Sequence, residues 1–277
     1  MELDIPVGGG VILKLADRLS NEAGYATSSL PKGIRLSSDG SELTEEAVGF
    51  GFPVLKRGLQ TLFPGSVDLT FEHCGSSWCI RSVFHLNMVE KIHKPGVGSI
   101  ENKWVYAMKN SMAAMIRHFS PVRGLLTAIS SGLRRVFGWK TTYENAGFHA
   151  VVKLTHRIQE GAGKVEVEVE PSALPAGTSE VVIMNEQGAR YFDRFTDSSG
   201  VCLHGDEIGC WDEVAAASAC FSSTTGNVLF RLHQVTDARL YRGRELVDSR
   251  LAWAGFGISF LPSVRKLSYR LEVESQA

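Results

Sequence analysis

The segment Lys164–Glu170 alternates without a break. Val165, Val167 and Val169 fall on one side, Glu166, Glu168 and Glu170 on the other. Only an extended chain with one buried and one wet face gives that two-residue rhythm. The C-terminal end repeats it, with Leu267, Tyr269, Leu271 and Val273 opposite Ser268, Arg270, Glu272 and Glu274. Further strand-like runs are Val67–His73, Ser77–Val89, Phe148–Ile158, Glu180–Asn185, Val228–Val235 and Leu251–Phe260.

Turn chemistry separates these runs. Glu186-Gln187-Gly188, Asp197-Ser198-Ser199-Gly200, His204-Gly205-Asp206 and Thr225-Gly226-Asn227 supply residues that tolerate positive φ. Short strands with frequent turns predict antiparallel meanders, hence a mainly β chain. The expectation is one large antiparallel β-sandwich domain over residues 1–277. Length and strand content resemble the large sandwiches of galactose-mutarotase-like proteins, a likeness of architecture carried by no motif.

One region departs from the rhythm. Ser120-Pro121 is a helix start, and Val122, Leu125, Leu126, Ile129, Leu133, Val136 and Phe137 then fall on one helical stripe. Trp104, Val105, Met108, Met112, Met115, Ile116 and Phe119 form another. The spacing predicts two helices inserted over about 103–137. From Asn102 to Tyr143 there is no Asp or Glu, and seven cations occur: Lys103, Lys109, Arg117, Arg123, Arg134, Arg135 and Lys140. Such a surface suits an anionic membrane or acidic partner; it equally suits two helices packed on a sheet with a solvated basic back.

The charge of the whole chain is balanced, 29 Lys+Arg against 30 Asp+Glu, so no nucleic-acid partner is expected. The five cysteines are an odd, sparse set, and no apolar leader or long apolar span is evident, which predicts a cytoplasmic protein with reduced thiols.

Three clusters carry chemistry. Arg242 and Arg244 share one side of a strand, with Gly243 between them and Tyr241, Glu245 and Trp253 close by. Paired guanidiniums could clamp a carboxylate, a phosphate or a polyhydroxy ligand. The expectation is a concave face lined by Arg242, Arg244, Glu245 and Trp253; the alternative is that the arginines pair with acids on neighbouring strands. The second cluster puts His204 and Glu207 among Asp206, Cys210, Trp211 and Asp212. A proton donor and acceptor beside an aromatic platform suit sugar chemistry, so His204 and Glu207 are the catalytic candidates, although ordinary loop polarity explains them too.

The third, His73, Cys74, Cys79 and His85, holds possible zinc ligands, but Cys79 and His85 lie inside an apolar strand run. No metal is expected there. Gly161-Ala162-Gly163-Lys164 fails as a phosphate loop because Val165 stands where Ser or Thr must bind magnesium. Gly-x-Ser-x-Gly and His-Glu-x-x-His are absent. No cofactor is therefore expected. The best functional expectation is a carbohydrate-related protein that binds or modifies a sugar on a sheet face. The alternative is a non-enzymatic module docking through the basic helices, and the sequence names no oligomeric state.

Overall fold

The alternating segments are strands of a fold that is almost entirely antiparallel β. The structure is a computed structural model that describes residues 2–16, 33–45, 48–94, 98–99, 140–223, 227–246 and 252–276. The two helices expected over 103–137, and with them the basic docking surface, lie outside the described residues. Among the described residues there is no α-helix, only a 3-10 turn at Gly205–Ile208.

In chain order the first strands are β1 (Glu2–Gly8), β2 (Val11–Ala16), β3 (Arg35–Ser38), β4 (Ser41–Glu42), β5 (Phe50–Arg57) and β6 (Gln60–Cys74). Then come β7 (Ser77–Lys94), β8 (Gly98–Ser99), β9 (Lys140–Gln159), β10 (Lys164–Ser172), β11 (Thr178–Gln187) and β12 (Phe192–Asp197). The last are β13 (Cys202–His204), β14 (Cys210–Glu213), β15 (Ser218–Ser223), β16 (Val228–His233), β17 (Ala238–Leu246), β18 (Ala252–Phe260) and β19 (Leu267–Ser275).

β1 to β4 form a four-stranded sheet. The rest form a fifteen-stranded sheet in the order β13-β12-β15-β16-β19-β10-β9-β7-β6-β5-β11-β18-β17-β14, with β8 on β7. So long a twisted sheet cannot stay open; it folds over and packs on itself. Rings from distant strands meet across the fold. Phe50 of β5 lies 5.2 Å from Phe230 of β16, and Phe256 of β18 lies 4.9 Å from Phe221 of β15. The Tyr269 hydroxyl of β19 donates to Asn185 Oδ1 of β11 at 3.0 Å. The two halves of one sheet thus face each other as the layers of a sandwich.

The two alternating segments behave as their pattern requires. β10 pairs with β19, Val167 opposite Tyr269 and Glu166 opposite Arg270. Their apolar sides are buried, and their polar sides form the outer face of this layer. The small sheet joins the same apolar cluster, Leu13 and Leu36 included. Backbone bonds from Gly161 N to Pro6 O (3.0 Å) and from Ile34 N to Phe50 O (2.9 Å) tie it to the large one.

Candidate functional site

Side chains at alternate positions of adjacent antiparallel strands meet in rows across a sheet. On the outer face of β9, β10, β19 and β16 those rows are charged. Glu166 stands between Arg157 of β9 and Arg270 of β19. Glu168 stands between Thr155 and Ser268. Together with His233 and Gln234 at the end of β16, these strands enclose an open groove of about 480 Å³. A volume of that order suits a small-molecule ligand.

The groove has a fixed flank and a free one. Glu272 is the anchor, its side chain 12% exposed. Arg270 Nη2 lies 3.0 Å from one carboxylate oxygen; His233 Nε2 and Arg231 Nη1 lie 3.2 and 3.5 Å from the other. Partial burial alone would raise the carboxyl's pKa. The His233 hydrogen bond and the charges of Arg270, His233 and Arg231 overcome that and hold it below the ordinary glutamate value. Arg270 Nη2 also lies 3.4 Å from His233 Nε2. One ring nitrogen cannot accept from Arg270 and donate to Glu272 at once, so His233 Nε2 bonds to one of the two.

On the other flank Glu168 is held by Lys266 at 2.9 Å and, loosely, by Arg157 at 4.0 Å. Glu166 is exposed and makes no ion pair with a described residue. Arg157, Glu166 and Ser268 therefore present a planar donor, an acceptor and a hydroxyl with hydrogen-bonding capacity in hand.

The residues singled out in the sequence lie elsewhere and do not share one concavity. Arg242 and Arg244 point to the inner face of β17. The Arg242 guanidinium sits 4.9 Å from the Phe195 ring centre, and its Nε donates to Ile208 O at 3.1 Å. The Arg244 Nε and Nη2 both donate to Ala189 O, at 3.1 and 2.9 Å, and its Nη1 lies 3.5 Å from Asp206. Burial lowers the Arg244 pKa, against the pull of Asp206 and Asp193. These contacts clamp the 3-10 turn and the chain before β12 onto β17. Arg242 Nη2 also lies 3.9 Å from Asp212, an acid on the neighbouring strand β14, whereas the acid beside Arg244 belongs to the turn.

Glu245 and Trp253 are directly opposite one another on the outer face of β17 and β18. The Trp253 Nε1 donates to Glu245 at 3.1 Å, and its ring stacks on Trp211 with centres 5.2 Å apart. Trp211 has φ 63°, in the register shift where β14 joins β17. Its ring lies where a side chain on Gly257 would stand, and the Trp253 ring lies where one on Gly243 would stand. The glycine between the two arginines thus serves a close aromatic approach.

His204 and Glu207 stand at the exposed 3-10 turn. The Glu207 carboxylate accepts from the His204 backbone N–H at 3.3 Å, and His204 Nε2 lies 3.6 Å from Cys202 Sγ. They meet, but as the closure of a turn. Of the zinc candidates, His73 contacts Trp78 and Glu160, while His85 lies between Asp68 and His149.

The groove lies apart from every cluster the sequence singles out. The acid row of β10 and the Arg/Glu row of β19 were both visible as outward faces. The signal lacking was that these rows, about a hundred residues apart, are neighbours.

No protein-family model matches this sequence, and no curated protein does. Among solved structures, the fold is shared with part of the Alpha-N-acetylgalactosaminidase NagBb from Bifidobacterium bifidum. In its GalNAc complex the likeness covers 100% of this chain and 36% of that chain, with TM-score 0.53 and 12% identity. In its Gal-NHAc-DNJ complex the TM-score is 0.52 at the same identity and coverage. This chain thus spans just over a third of the enzyme it matches. A protein of Escherichia coli K12, named only provisionally as an aldose 1-epimerase, matches over 99% of this chain and 100% of its own, at 9% identity. Its TM-score of 0.42 is too low to bear argument. The likeness to the N-acetylgalactosaminidase shows a β-rich fold that a carbohydrate-active enzyme also uses.

Proposed function

We propose that this protein binds a neutral sugar, as a binding domain or as part of an enzyme, in the groove of β9, β10, β19 and β16. The observation that carries the reading is the convergence of Arg157, Glu166, Glu168, His233, Ser268 and Arg270 on one cavity of about 480 Å³. A sugar presents hydroxyls that both donate and accept. Guanidiniums supply donors, carboxylates supply acceptors, and here the two alternate. The acids Glu166 and Glu168 balance Arg157 and Arg270, so a neutral polyol suits the groove better than an anion. The fold shared with a glycosidase seen holding GalNAc is consistent with this reading.

The test is calorimetric titration with a panel of galactose, glucose and N-acetylgalactosamine, followed by a glycan array. Binding by the wild type is expected, with a loss of at least tenfold in Arg157→Ala and Glu166→Gln at unchanged melting temperature. Variants of Glu245, Trp253 and Arg242 form the comparison arm and are expected to bind as the wild type does. Loss of binding in that arm alone would move the ligand to the β17–β18 side of the sandwich. No binding to any sugar would end the proposal.

A further inference from the structure

A second cluster of titratable groups lies away from the groove, on β6, β7 and β9. His85 Nε2 is 2.8 Å from Asp68 Oδ2, and His85 Nδ1 is 3.0 Å from His149 Nε2. The carboxylate accepts the proton on Nε2, which leaves the Nδ1 lone pair of His85 aimed at the second ring.

All three strands depart from regular pairing at this level. β6 shifts register around Pro64 and Ser66. Between Leu86↔Ala150 and Met88↔Asn145, five steps along β9 oppose two along β7. That wide bulge carries His149, and bulges of this kind re-aim a side chain. Asn87, inside the same irregularity, has a buried Oδ1 with no hydrogen-bond partner.

We infer that His85 Nδ1 and His149 Nε2 chelate a divalent transition metal of the zinc, nickel or copper type, with Asp68 orienting His85 from behind. Two imidazole nitrogens bound at about 2.1 Å to one ion stand about 3.0 Å apart at a right angle and about 3.4 Å apart at a tetrahedral angle. The spacing found is already within that range. The proton now on His149 Nε2 moves to His149 Nδ1 when a metal takes Nε2, so both rings bind as neutral imidazoles. A carboxylate on the distal nitrogen of a ligating histidine fixes its tautomer and raises its basicity. Among the described residues no group of three or more His, Cys, Asp or Glu is placed to hold a metal. Solvent therefore completes the coordination shell, and the affinity expected is micromolar.

The site is tested on the full chain by calorimetry with Zn²⁺ and Ni²⁺ and by electron paramagnetic resonance with Cu²⁺. One ion per chain is expected, with a copper spectrum that shows two imidazole nitrogens. His149→Ala, at an exposed position, and His85→Asn should each abolish the tight phase. Asp68→Asn should weaken it about 10- to 100-fold. His73→Ala and His204→Ala are controls that leave it unchanged. Equal affinity in the His85 and His149 variants, or no binding by a folded wild-type chain, overturns the inference.

Discussion

The imidazole of His156 occupies the space that a side chain at residue 51 would need: a Cβ built on Gly51 would stand 2.6 Å from His156 Nε2. The ring belongs to the inner face of β9, packed among apolar side chains, and neither nitrogen has a hydrogen-bond partner. Burial pushes its pKa down from 6.5 to about 4. The folded chain therefore keeps this ring neutral at a pH where the unfolded chain has protonated it. The contribution to stability is complete above about pH 6.5 and declines as pH falls toward 4, by ~3 kcal/mol in all. Urea unfolding at pH 7.5 and pH 4.5 measures it. His156→Leu should lose less stability between those conditions than the wild type, and a parallel loss in both would refute the assignment.

Gly51→Ala tests the same contact from the other side. Residue 51 has φ +87°, a conformation that L side chains rarely adopt. The substitution adds a clash with His156 to that strain, for an expected loss of roughly 2–4 kcal/mol. The strain remains whatever lies opposite, but the clash does not. In a Gly51→Ala, His156→Ala double-mutant cycle the second change should recover part of the first loss, a coupling of about 1 kcal/mol or more. Strict additivity would mean that the two residues do not touch.

Arg244 should behave as a structural clamp. Its two donors share one carbonyl, Ala189 O, and the side chain is 9% exposed. Arg244→Ala removes a charged hydrogen-bond pair and leaves a buried carbonyl without its donor, at a cost of roughly 2–4 kcal/mol. Arg244→Lys should rescue little, because an ammonium lacks the planar fork. Thermal unfolding separates the three proteins; a lysine variant as stable as the wild type would show that charge alone matters.

These cases mark what could be read from the chain and what could not. The inward valines of β10 and the inward Leu267, Tyr269, Leu271 and Val273 of β19 follow from alternation, because one buried face enforces it. The runs assigned as strands overlie β6, β7, β9, β10, β11, β16, β18 and β19. Alternation also held a warning for the clamp assigned to Arg242, Arg244, Glu245 and Trp253. Glu245 follows Arg244 directly, so a regular strand sends them to opposite faces. Neighbours were beyond reach, since pairing of Glu166 with both Arg157 and Arg270 depends on sheet order. The bulge that turns His149 onto His85 was equally hidden, because only the register of β7 with β9 reveals it.

The Trp211–Trp253 stack gives a spectroscopic prediction. Two indoles 5.2 Å apart at an interplanar angle of 30° are close enough to couple electronically. Circular dichroism near the main indole band should show a paired positive and negative signal. Trp211→Phe and Trp253→Phe should each remove it, and Gly257→Ala should reduce it by displacing the Trp211 ring from the strand beneath. Retention of the signal in either Trp variant would place its origin in other aromatic residues.

Glu272 links the stability of the sandwich to the groove. Arg231, Arg270 and His233 all converge on it, and of the two guanidiniums only Arg231 has a second acid, Glu274 at 3.8 Å, so its loss leaves Arg270 without its acid. Glu272→Gln keeps the shape and removes the charge. The group is too enclosed to count as a surface pair and too open to count as a buried one, so the expected cost at pH 7 is about 1–2 kcal/mol. The pH dependence follows from its lowered pKa. The stabilisation is present above the unfolded glutamate value, about 4.3, and is lost as pH falls through the lower folded value. The melting curves of wild type and variant should therefore converge only once pH has fallen below that folded value, whereas His156 acts between about 4 and 6.5. With Glu272 neutral, Arg270 is no longer held at the groove wall, and sugar affinity should fall while Glu166 and Arg157 stay in place. A variant that melts like the wild type at pH 7 would show that the two guanidiniums are held by solvent instead.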